Sequence, residues 1–232
     1  MINWNGVYPA VTTQFTKEDQ LDIPMYEKNI RAQLDAGVHG IIIGGSLGEA
    51  STLYDEEKFT LLEVTKDLCK DRVPVLLNIA ERRTADAVRL AKEGSARGAD
   101  GFMLLPPMQY GAGDQEIVHF VKEVAINTDR PFILYNNPHD YKLGFTIPML
   151  EELLQLDNIQ AIKESSRDVT NVIRFRNAFG DRLKILGGVD TLALECLAGG
   201  ADGWVAGLVN AFPRETVLIY EWMKNGQVEK AR

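Results

Sequence analysis

The stretch Gly98-Ala99-Asp100-Gly101-Phe102-Met103-Leu104-Leu105 decides the fold, because it joins the end of a helical pattern to an apolar strand. The same joint recurs as Gly37-Val38-His39-Gly40 and as Gly200-Ala201-Asp202-Gly203. A glycine just after the last helical residue suits the left-handed conformation that ends many helices. A recurring joint predicts a repeated βα unit, which a closed barrel requires and a doubly wound sheet merely permits.

Apolar runs and amphipathic stretches alternate from one end of the chain to the other. The strand-like runs are Val7–Thr12, Gly40–Gly45, Val75–Ala80, Phe102–Leu105, Phe132–Asn136, Gln160–Lys163, Lys184–Gly187 and Gly203–Leu208. The helical patterns are Met25–Ala36, Glu56–Cys69, Ala85–Ala96, Ile117–Ala125, Pro148–Leu156, Val169–Ala178, Leu192–Ala198 and Arg214–Trp222. This alternation predicts an α/β fold, a (β/α)8 TIM barrel forming one domain over residues 1–232, with a doubly wound sheet as the alternative.

Composition narrows the class of partner. The chain has 232 residues, is 45% hydrophobic and carries a formal net charge of −8, which argues against a nucleic-acid partner. No apolar run approaches the roughly 20 residues of a membrane span. Residues 1–5 lack the basic flank and apolar core of a signal peptide, so we expect a cytoplasmic enzyme. Cys69 and Cys196 have no metal-binding spacing and are predicted to be buried hydrophobes.

Polar residues collect at the predicted carboxyl ends of strands, where barrels carry their active sites. Lys163 closes an apolar run and is expected to point into the barrel mouth, where partial desolvation would make its amine nucleophilic. The alternative is a lysine paired with a neighbouring carboxylate such as Glu164. Tyr135 ends the preceding strand and is either a proton relay or a core aromatic with a backbone partner.

The Gly44–Glu49 loop has small residues that let backbone N–H groups approach a ligand, so it could hold a substrate carboxylate. Glycines also serve tight turns, which is the plainer interpretation. We expect Glu49 to pack or cap rather than react. The three histidines are not grouped like metal ligands, and only His139, beside the end of strand 5, is a site candidate.

Three ordered motifs, Gly44–Leu53, Tyr135–Pro138 and Lys163-Glu164-Ser165, together with the opening Gly6–Thr13, resemble the dihydrodipicolinate synthase / N-acetylneuraminate lyase superfamily. The resemblance covers essentially the whole chain. It implies that Lys163 is the Schiff-base lysine, Tyr135 the proton-shuttling tyrosine and Ser46 the hydroxyl of the carboxylate loop. With these we assign substrate binding to Ser46, Leu47, Gly48, Asn137 and Gly187.

Departures from the family pattern narrow the substrate. Synthases of this family have two threonines where the chain has Ser46-Leu47, and Leu47 cannot hand a proton to Tyr135, so we expect that relay to be broken. Asp140 stands where those synthases place an arginine for the second substrate's carboxylate. Their second relay tyrosine is replaced in Pro106–Tyr110, where Tyr110 could fill its space. Lysine biosynthesis is therefore disfavoured.

The closest similarity is to the 1-pyrroline-4-hydroxy-2-carboxylate deaminases of hydroxyproline catabolism. It rests on Tyr135–Pro138 with Tyr141-Lys142, on Lys163–Ser166, and on Gly203-Trp204-Val205 followed by Asn210–Glu215. The alternatives are a 2-keto-3-deoxy sugar-acid aldolase or dehydratase, then dihydrodipicolinate synthase, then a non-catalytic binding barrel.

The resemblance has further implications. It implies a small 2-oxo acid or cyclic imine as substrate and no metal or organic cofactor, because the lysine itself is the electron sink. It also implies a homo-oligomer, either a dimer or a tetramer. Family members usually continue into a C-terminal helical region, which we expect to be absent or truncated in this sequence.

Overall fold

A computed structural model of the protein describes residues 2–107 and 111–232. Within that part of the chain, strands and helices alternate throughout. The strands are β1 (Gly6–Pro9), β2 (Ile41–Ile43), β3 (Val75–Ile79), β4 (Gly101–Leu104), β5 (Phe132–Asn136), β6 (Ile159–Glu164), β7 (Lys184–Gly187) and β8 (Gly203–Ala206). The helices are α1 (Ile23–Asp35), α2 (Asp55–Cys69), α3 (Thr84–Ala96), α4 (Asp114–Ala125), α5 (Pro138–Tyr141), α6 (Ile147–Leu153), α7 (Thr170–Phe179), α8 (Ala193–Ala198), α9 (Pro213–Lys224) and α10 (Val228–Ala231).

All neighbouring strands are parallel, in the order β1-β8-β7-β6-β5-β4-β3-β2. The two ends of this sheet meet just after β1, where Ala10 bridges Ile42 and the Val11 N–H donates to the Ile42 carbonyl at 3.0 Å. The sheet therefore closes on itself. The predicted (β/α)8 TIM barrel is confirmed and the doubly wound alternative is wrong.

The repeated joints share one conformation and one hydrogen-bonding device. Gly37, Gly98 and Gly200 have φ angles of 83°, 94° and 97°, the left-handed region that glycine enters without strain. The third joint residue then holds the start of a neighbouring strand. Asp100 accepts from the Val75 N–H at 2.8 Å, Asp202 from the Ile185 N–H at 2.8 Å, and His39 from the Val7 N–H at 3.2 Å.

Side chains alternate between two apolar layers. One set fills the inside of the barrel and includes Tyr8, Ile42, Ile133 and Ala161, while a larger set packs between the strands and the surrounding helices. Since successive strand residues point to opposite faces, Ala161 inside the barrel means that Lys163 also points inside. Cys69 and Cys196 are buried free thiols, as predicted.

Several predicted boundaries moved for identifiable reasons. Strand β2 stops at Ile43 because Gly44 turns the chain with a φ of 62°. Strand β8 stops at Ala206 because the Asp190 carboxylate takes the next two amides, of Gly207 at 3.1 Å and Leu208 at 2.8 Å. The short helices α5 and α10 were not predicted. No helix among the described residues is long and apolar enough to cross a membrane.

Candidate active site

Lys163 and Tyr135 are neighbours across the β5–β6 pair, where they face each other in register. Both side chains point into the barrel near its carboxyl end, and each is 7% exposed. The Lys163 Nζ lies 3.9 Å from the centroid of the Tyr135 ring. The structure thus brings together the two side chains that the sequence assigned to catalysis.

Burial controls the charge of Lys163. It lowers the pKa of this amine from 10.5 to about 8, and the negative charge of Asp190 only partly opposes it. The aromatic face below the amine also favours the cation, so it works against burial. At pH 7, ~10% of the amine is then neutral, against ~0.03% for an ordinary lysine.

Glu164 does not pair with this lysine. It points to the opposite face of β6, where its carboxylate accepts from Asn136 Nδ2 at 2.6 Å and from the Ser166 N–H at 2.7 Å. The alternative prediction of a Lys163–Glu164 ion pair is therefore wrong. The amine instead faces the interior of the barrel mouth.

The Tyr135 hydroxyl is held by a side chain rather than by the backbone. Asn137 Nδ2 donates to Tyr135 Oη at 3.2 Å, and the same amide group donates to Asp140 at 2.8 Å. Burial raises the pKa of Tyr135, while the Asn137 side chain lowers it. Asn137, predicted to bind substrate, is thus already engaged in positioning the phenol.

The loop after β2 leaves four consecutive backbone amides without a backbone acceptor in the described part of the chain. Gly48 donates its N–H to the Gly45 carbonyl at 2.9 Å, and Glu49 donates to Ser46. Among the described residues, the amides of Gly44, Gly45, Ser46 and Leu47 have no such partner. A β-carbon on Gly48 would lie 2.7 Å from the Val11 carbonyl oxygen, so Gly48 also allows the loop to pack closely.

The hydroxyl and apolar side chains of this loop point in different directions. Ser46 Oγ lies 2.5 Å from Tyr141 Oη, within hydrogen-bonding distance. Leu47 is 52% exposed and its Cδ1 leans toward Gly207. The expected break in the hydroxyl relay at Leu47 therefore does not isolate Ser46, which meets a tyrosine from another loop.

Gly188, and not the predicted Gly187, lies against the lysine. A β-carbon on Gly187 would lie 3.0 Å from Cys196 on α8, outside the barrel. A β-carbon on Gly188 would lie 2.8 Å from Lys163 Cε and would overlap Ser165 Oγ. Sequence reasoning missed both Gly188 and Ser165. The Ser165 hydroxyl is buried beside the amine and has no hydrogen-bond partner among the described residues.

Charged groups on the rim neutralise one another. Asp140 lies 3.6 Å from Arg167, and Arg167 in turn lies 2.7 Å from His139 Nε2. The Asn137 amide lowers the pKa of the exposed Asp140 carboxyl, and Arg167 and His139 lower it further. His139, the histidine singled out by sequence, therefore belongs to the rim and not to the Lys163 pocket.

Of the remaining candidate residues, Glu49 has a structural role and Tyr110 is not among the described residues. Glu49 is exposed with a φ of 60°, and its carbonyl accepts from Thr52, so it shapes the turn. Tyr110 lies outside the described residues. Within residues 2–107 and 111–232, no group of three or more His, Cys, Asp or Glu side chains is arranged to hold a metal ion.

Comparison with known proteins finds relatives that match nearly the whole chain. A 4-hydroxy-tetrahydrodipicolinate synthase from Methanothrix thermoacetophila is 31% identical over 230 residues, which cover 99% of this chain and 77% of that protein. The corresponding synthase from Exiguobacterium sibiricum is 32% identical over 229 residues, covering 99% of this chain and 78% of that protein.

Solved structures extend the similarity to the backbone. A dihydrodipicolinate synthase from Bacillus anthracis superposes with a TM-score of 0.95 at 27% identity, covering 100% of this chain and 79% of that one. CdNal from Clostridium difficile, solved with mannosamine, gives 0.94 at 26% identity, covering 99% and 79%. The profile of the dihydrodipicolinate synthetase family matches residues 3–232, and the chain belongs to this family.

Proposed function

We propose that the protein is a lyase that forms a Schiff base between Lys163 and a small 2-oxo acid or cyclic imine. The observation that carries the proposal is the amine itself, which is buried in the barrel mouth with a pKa lowered to about 8 by burial. A partly neutral amine is nucleophilic, and a lysine needs this state to attack a carbonyl or imine carbon.

The surrounding groups fit the steps that follow. The amides of Ser46 and Leu47 would hold the substrate carboxylate and so fix C2 near the amine. After Lys163 has added to C2, the cationic Schiff base acidifies the neighbouring C3. Tyr135, whose ring lies under the amine, would carry protons to and from the reacting atoms.

The proposed substrate is 1-pyrroline-4-hydroxy-2-carboxylate, as in the deaminases of hydroxyproline catabolism. Lysine addition at C2 opens the ring and frees a primary amine on C5. Loss of a proton from C3 and of the hydroxyl from C4 then gives an unsaturated Schiff base. Tautomerisation and hydrolysis release ammonia and 2,5-dioxopentanoate, with one water consumed overall.

The charges on the rim support a substrate with one carboxylate. Asp140 carries a carboxylate whose pKa is lowered by Asn137 and then by neighbouring cations, so it is ionised at neutral pH. Arg167 is already engaged by Asp140 and His139. A second carboxylate on the substrate would therefore find Arg167 already paired, whereas a neutral or cationic distal end needs no such partner.

Dihydrodipicolinate synthase activity is the second candidate, because the curated relatives at about 31% identity carry that name. It would use the same Lys163 and Tyr135 but would condense two substrates. A 2-keto-3-deoxy sugar-acid aldolase or dehydratase would also use this pair. The homo-oligomer that the resemblance implies stays a prediction, which sedimentation velocity would test.

Product analysis separates these candidates. The purified protein is incubated in parallel with 1-pyrroline-4-hydroxy-2-carboxylate, with a keto-deoxy sugar acid, and with pyruvate plus aspartate semialdehyde. We expect ammonia and 2,5-dioxopentanoate from the first, and none from the Lys163→Met variant. Pyruvate release from the sugar acid, or condensation in the third incubation, with no ammonia from the first, would contradict the deaminase assignment.

A further inference from the structure

A buried amide side chain inside the barrel has no partner for either of its polar atoms. Asn78 on β3 is 1% exposed, and neither its Nδ2 nor its Oδ1 makes a hydrogen bond within residues 2–107 and 111–232. It shares a strand face with Leu76, which lies inside the barrel, so the amide points inside as well. A buried amide is costly to leave without hydrogen bonds, so its presence here points to a polar occupant.

Strand pairing places Asn78 in the same ring of inward-facing residues as Tyr135. Three runs of paired residues lead from one ring member to a residue two positions before the next: Ala10–Ile42–Leu76, Asn78–Met103–Ile133 and Tyr135–Lys163–Leu186. A shift of two residues for every two strands matches the shear of eight in a (β/α)8 barrel, so the ring lies at one level of the barrel axis. Its members are Ala10, Asn78, Tyr135 and Gly188.

The two small members of this ring leave room beside the amine. Branched residues usually fill such rings, but Ala10 has only a methyl group and Gly188 has no side chain. Gly188 lies against Lys163, because a β-carbon there would be 2.8 Å from Lys163 Cε. The Nζ of Lys163 in turn lies 3.9 Å from the centroid of the Tyr135 ring. The space next to the amine is therefore bounded, on the side of β3, by the Asn78 amide.

The chemistry of the amide decides which group suits it. Asn78 offers two N–H donors and a carbonyl acceptor, so a partner that both accepts and donates is required to satisfy it. A carboxylate only accepts, and the backbone amides of residues 44–47 already suit that group. A water molecule both accepts and donates. In the reaction proposed above, a water must add to C2, the carbon that is bonded to the amine.

We propose that Asn78 is a positioning residue that holds and orients the water that hydrolyses the Schiff base on Lys163. The inference rests on the proposed function of Lys163 and adds to it a group that directs product release. Asn78 Oδ1 would accept one hydrogen of the water and so turn a lone pair of the water oxygen toward C2. Tyr135, in the same ring, would exchange protons with this water.

The step balances with water as its only co-reactant. The water oxygen forms a bond to C2 while the π pair of the C=N bond moves to nitrogen. Tyr135 takes the proton that the water loses and gives its own proton to the nitrogen. The C–N bond then breaks with its electron pair going to Lys163, the hydroxyl proton moves to the amine, and the oxygen stays as the carbonyl of the product.

Label exchange tests this role of Asn78. An adduct formed with ¹³C-labelled pyruvate is chased with excess unlabelled pyruvate, and borohydride traps the remaining labelled adduct at successive times. Asn78→Leu, similar in size but apolar, should slow both the loss of label and the formation of adduct by one factor, roughly 10- to 100-fold. The equilibrium amount of adduct should not change, because the same water leaves in one direction and enters in the other.

Asn158→Leu is the matched control. Asn158 stands before the start of β6, at the opposite end of that strand from Lys163, and its amide donates to the carbonyls of Ala125 at 2.8 Å and Thr128 at 2.9 Å. We expect this variant to exchange label at the wild-type rate.

A stability measurement separates this role from a structural one. Because the Asn78 amide is buried without partners among the described residues, Asn78→Leu should move the midpoint of urea unfolding to higher concentration, whereas Asn158→Leu should move it lower. Wild-type exchange in Asn78→Leu would overturn the inference and leave the proposed function standing. Slow exchange together with a lower midpoint, or with less adduct at equilibrium, would also overturn it. If the wild type formed no adduct, the proposed function and the inference would fall together.

Discussion

Replacing the buried lysine with methionine should make the protein more stable. Lys163 is 7% exposed, and burial lowers the pKa of its amine from 10.5 to about 8. At pH 7 the folded protein therefore holds a buried cation, which is less stable there than in water. Methionine has a similar length and no charge, so Lys163→Met removes this unfavourable group without opening a large cavity.

The size and pH dependence of the gain in the free energy of unfolding follow from the lowered pKa of Lys163. A difference of about 2.5 pKa units corresponds to about 3 kcal/mol, and the contact of the cation with the Tyr135 ring returns up to ~1 kcal/mol of it. We therefore expect Lys163→Met to raise the free energy of unfolding by about 2 kcal/mol at pH 7. Between pH 8 and 10.5, the unfolded wild type still holds a proton that the folded state has lost, so wild-type stability rises with pH. The advantage of the variant should fade across this window.

The assay is urea unfolding of both proteins at a series of pH values from 7 to about 10.5. Lys58→Met is the matched control, because Lys58 is also buried but pairs with Glu81 at 2.7 Å and Asp55 at 3.3 Å. Its removal should destabilise the protein by leaving the Glu81 carboxylate without its cation, while Asp55 keeps its pairing with Arg89. A Lys163→Met variant that is less stable than wild type at pH 7, or a gain that stays constant up to pH 10.5, would refute the reasoning.

The remaining predictions concern the groups around the amine. Tyr135→Phe should lower turnover about 10²- to 10⁴-fold, measured by product release, while the lysine adduct still forms; undiminished turnover would exclude a proton-shuttling role. Gly188→Ala should abolish borohydride trapping, because its β-carbon would lie 2.8 Å from Lys163 Cε, whereas Gly111→Ala, whose β-carbon would have no atom of the described residues within 4 Å, should trap normally. Trapping by both variants would show that the barrel mouth accommodates a methyl group at position 188. Asn137→Ala should raise the pKa of Tyr135, because this amide lowers it, and should move the alkaline limb of the turnover profile to higher pH. An unmoved limb would show that Asn137 does not tune the phenol.

The fold was predictable because its signals are local. The joints at Gly37, Gly98 and Gly200 adopt the left-handed conformation. Because that conformation is sterically unfavourable for a residue with a β-carbon, the glycine in the sequence already indicates the joint. Buried parallel strands are continuously apolar, so their existence was clear but their ends were not. The ends depend on distant groups, as when the Asp190 carboxylate takes the amides that would have continued β8.

The site was predictable only as far as strand position determines it. Lys163 and Tyr135 end neighbouring strands, so a barrel must bring them to the same mouth. The sequence assigned Gly187 to the pocket, but the neighbouring Gly188 is the residue that lies against Lys163. Successive strand residues point to opposite faces, and the sequence alone does not say which of the two faces the barrel interior. The contact of Tyr141 with Ser46 joins two loops through a short helix, and no periodicity in the sequence signals it.

The central claim, that Lys163 is the nucleophile, is tested most directly by locating a trapped adduct. The protein is incubated with pyruvate, reduced with borohydride and digested with trypsin, which cannot cleave after a modified lysine. The account predicts that residues 143–163 and 164–167, normally separate peptides, appear as one modified peptide spanning 143–167. An unmodified 143–163 peptide, with pyruvate attached to another lysine or to none, would contradict it.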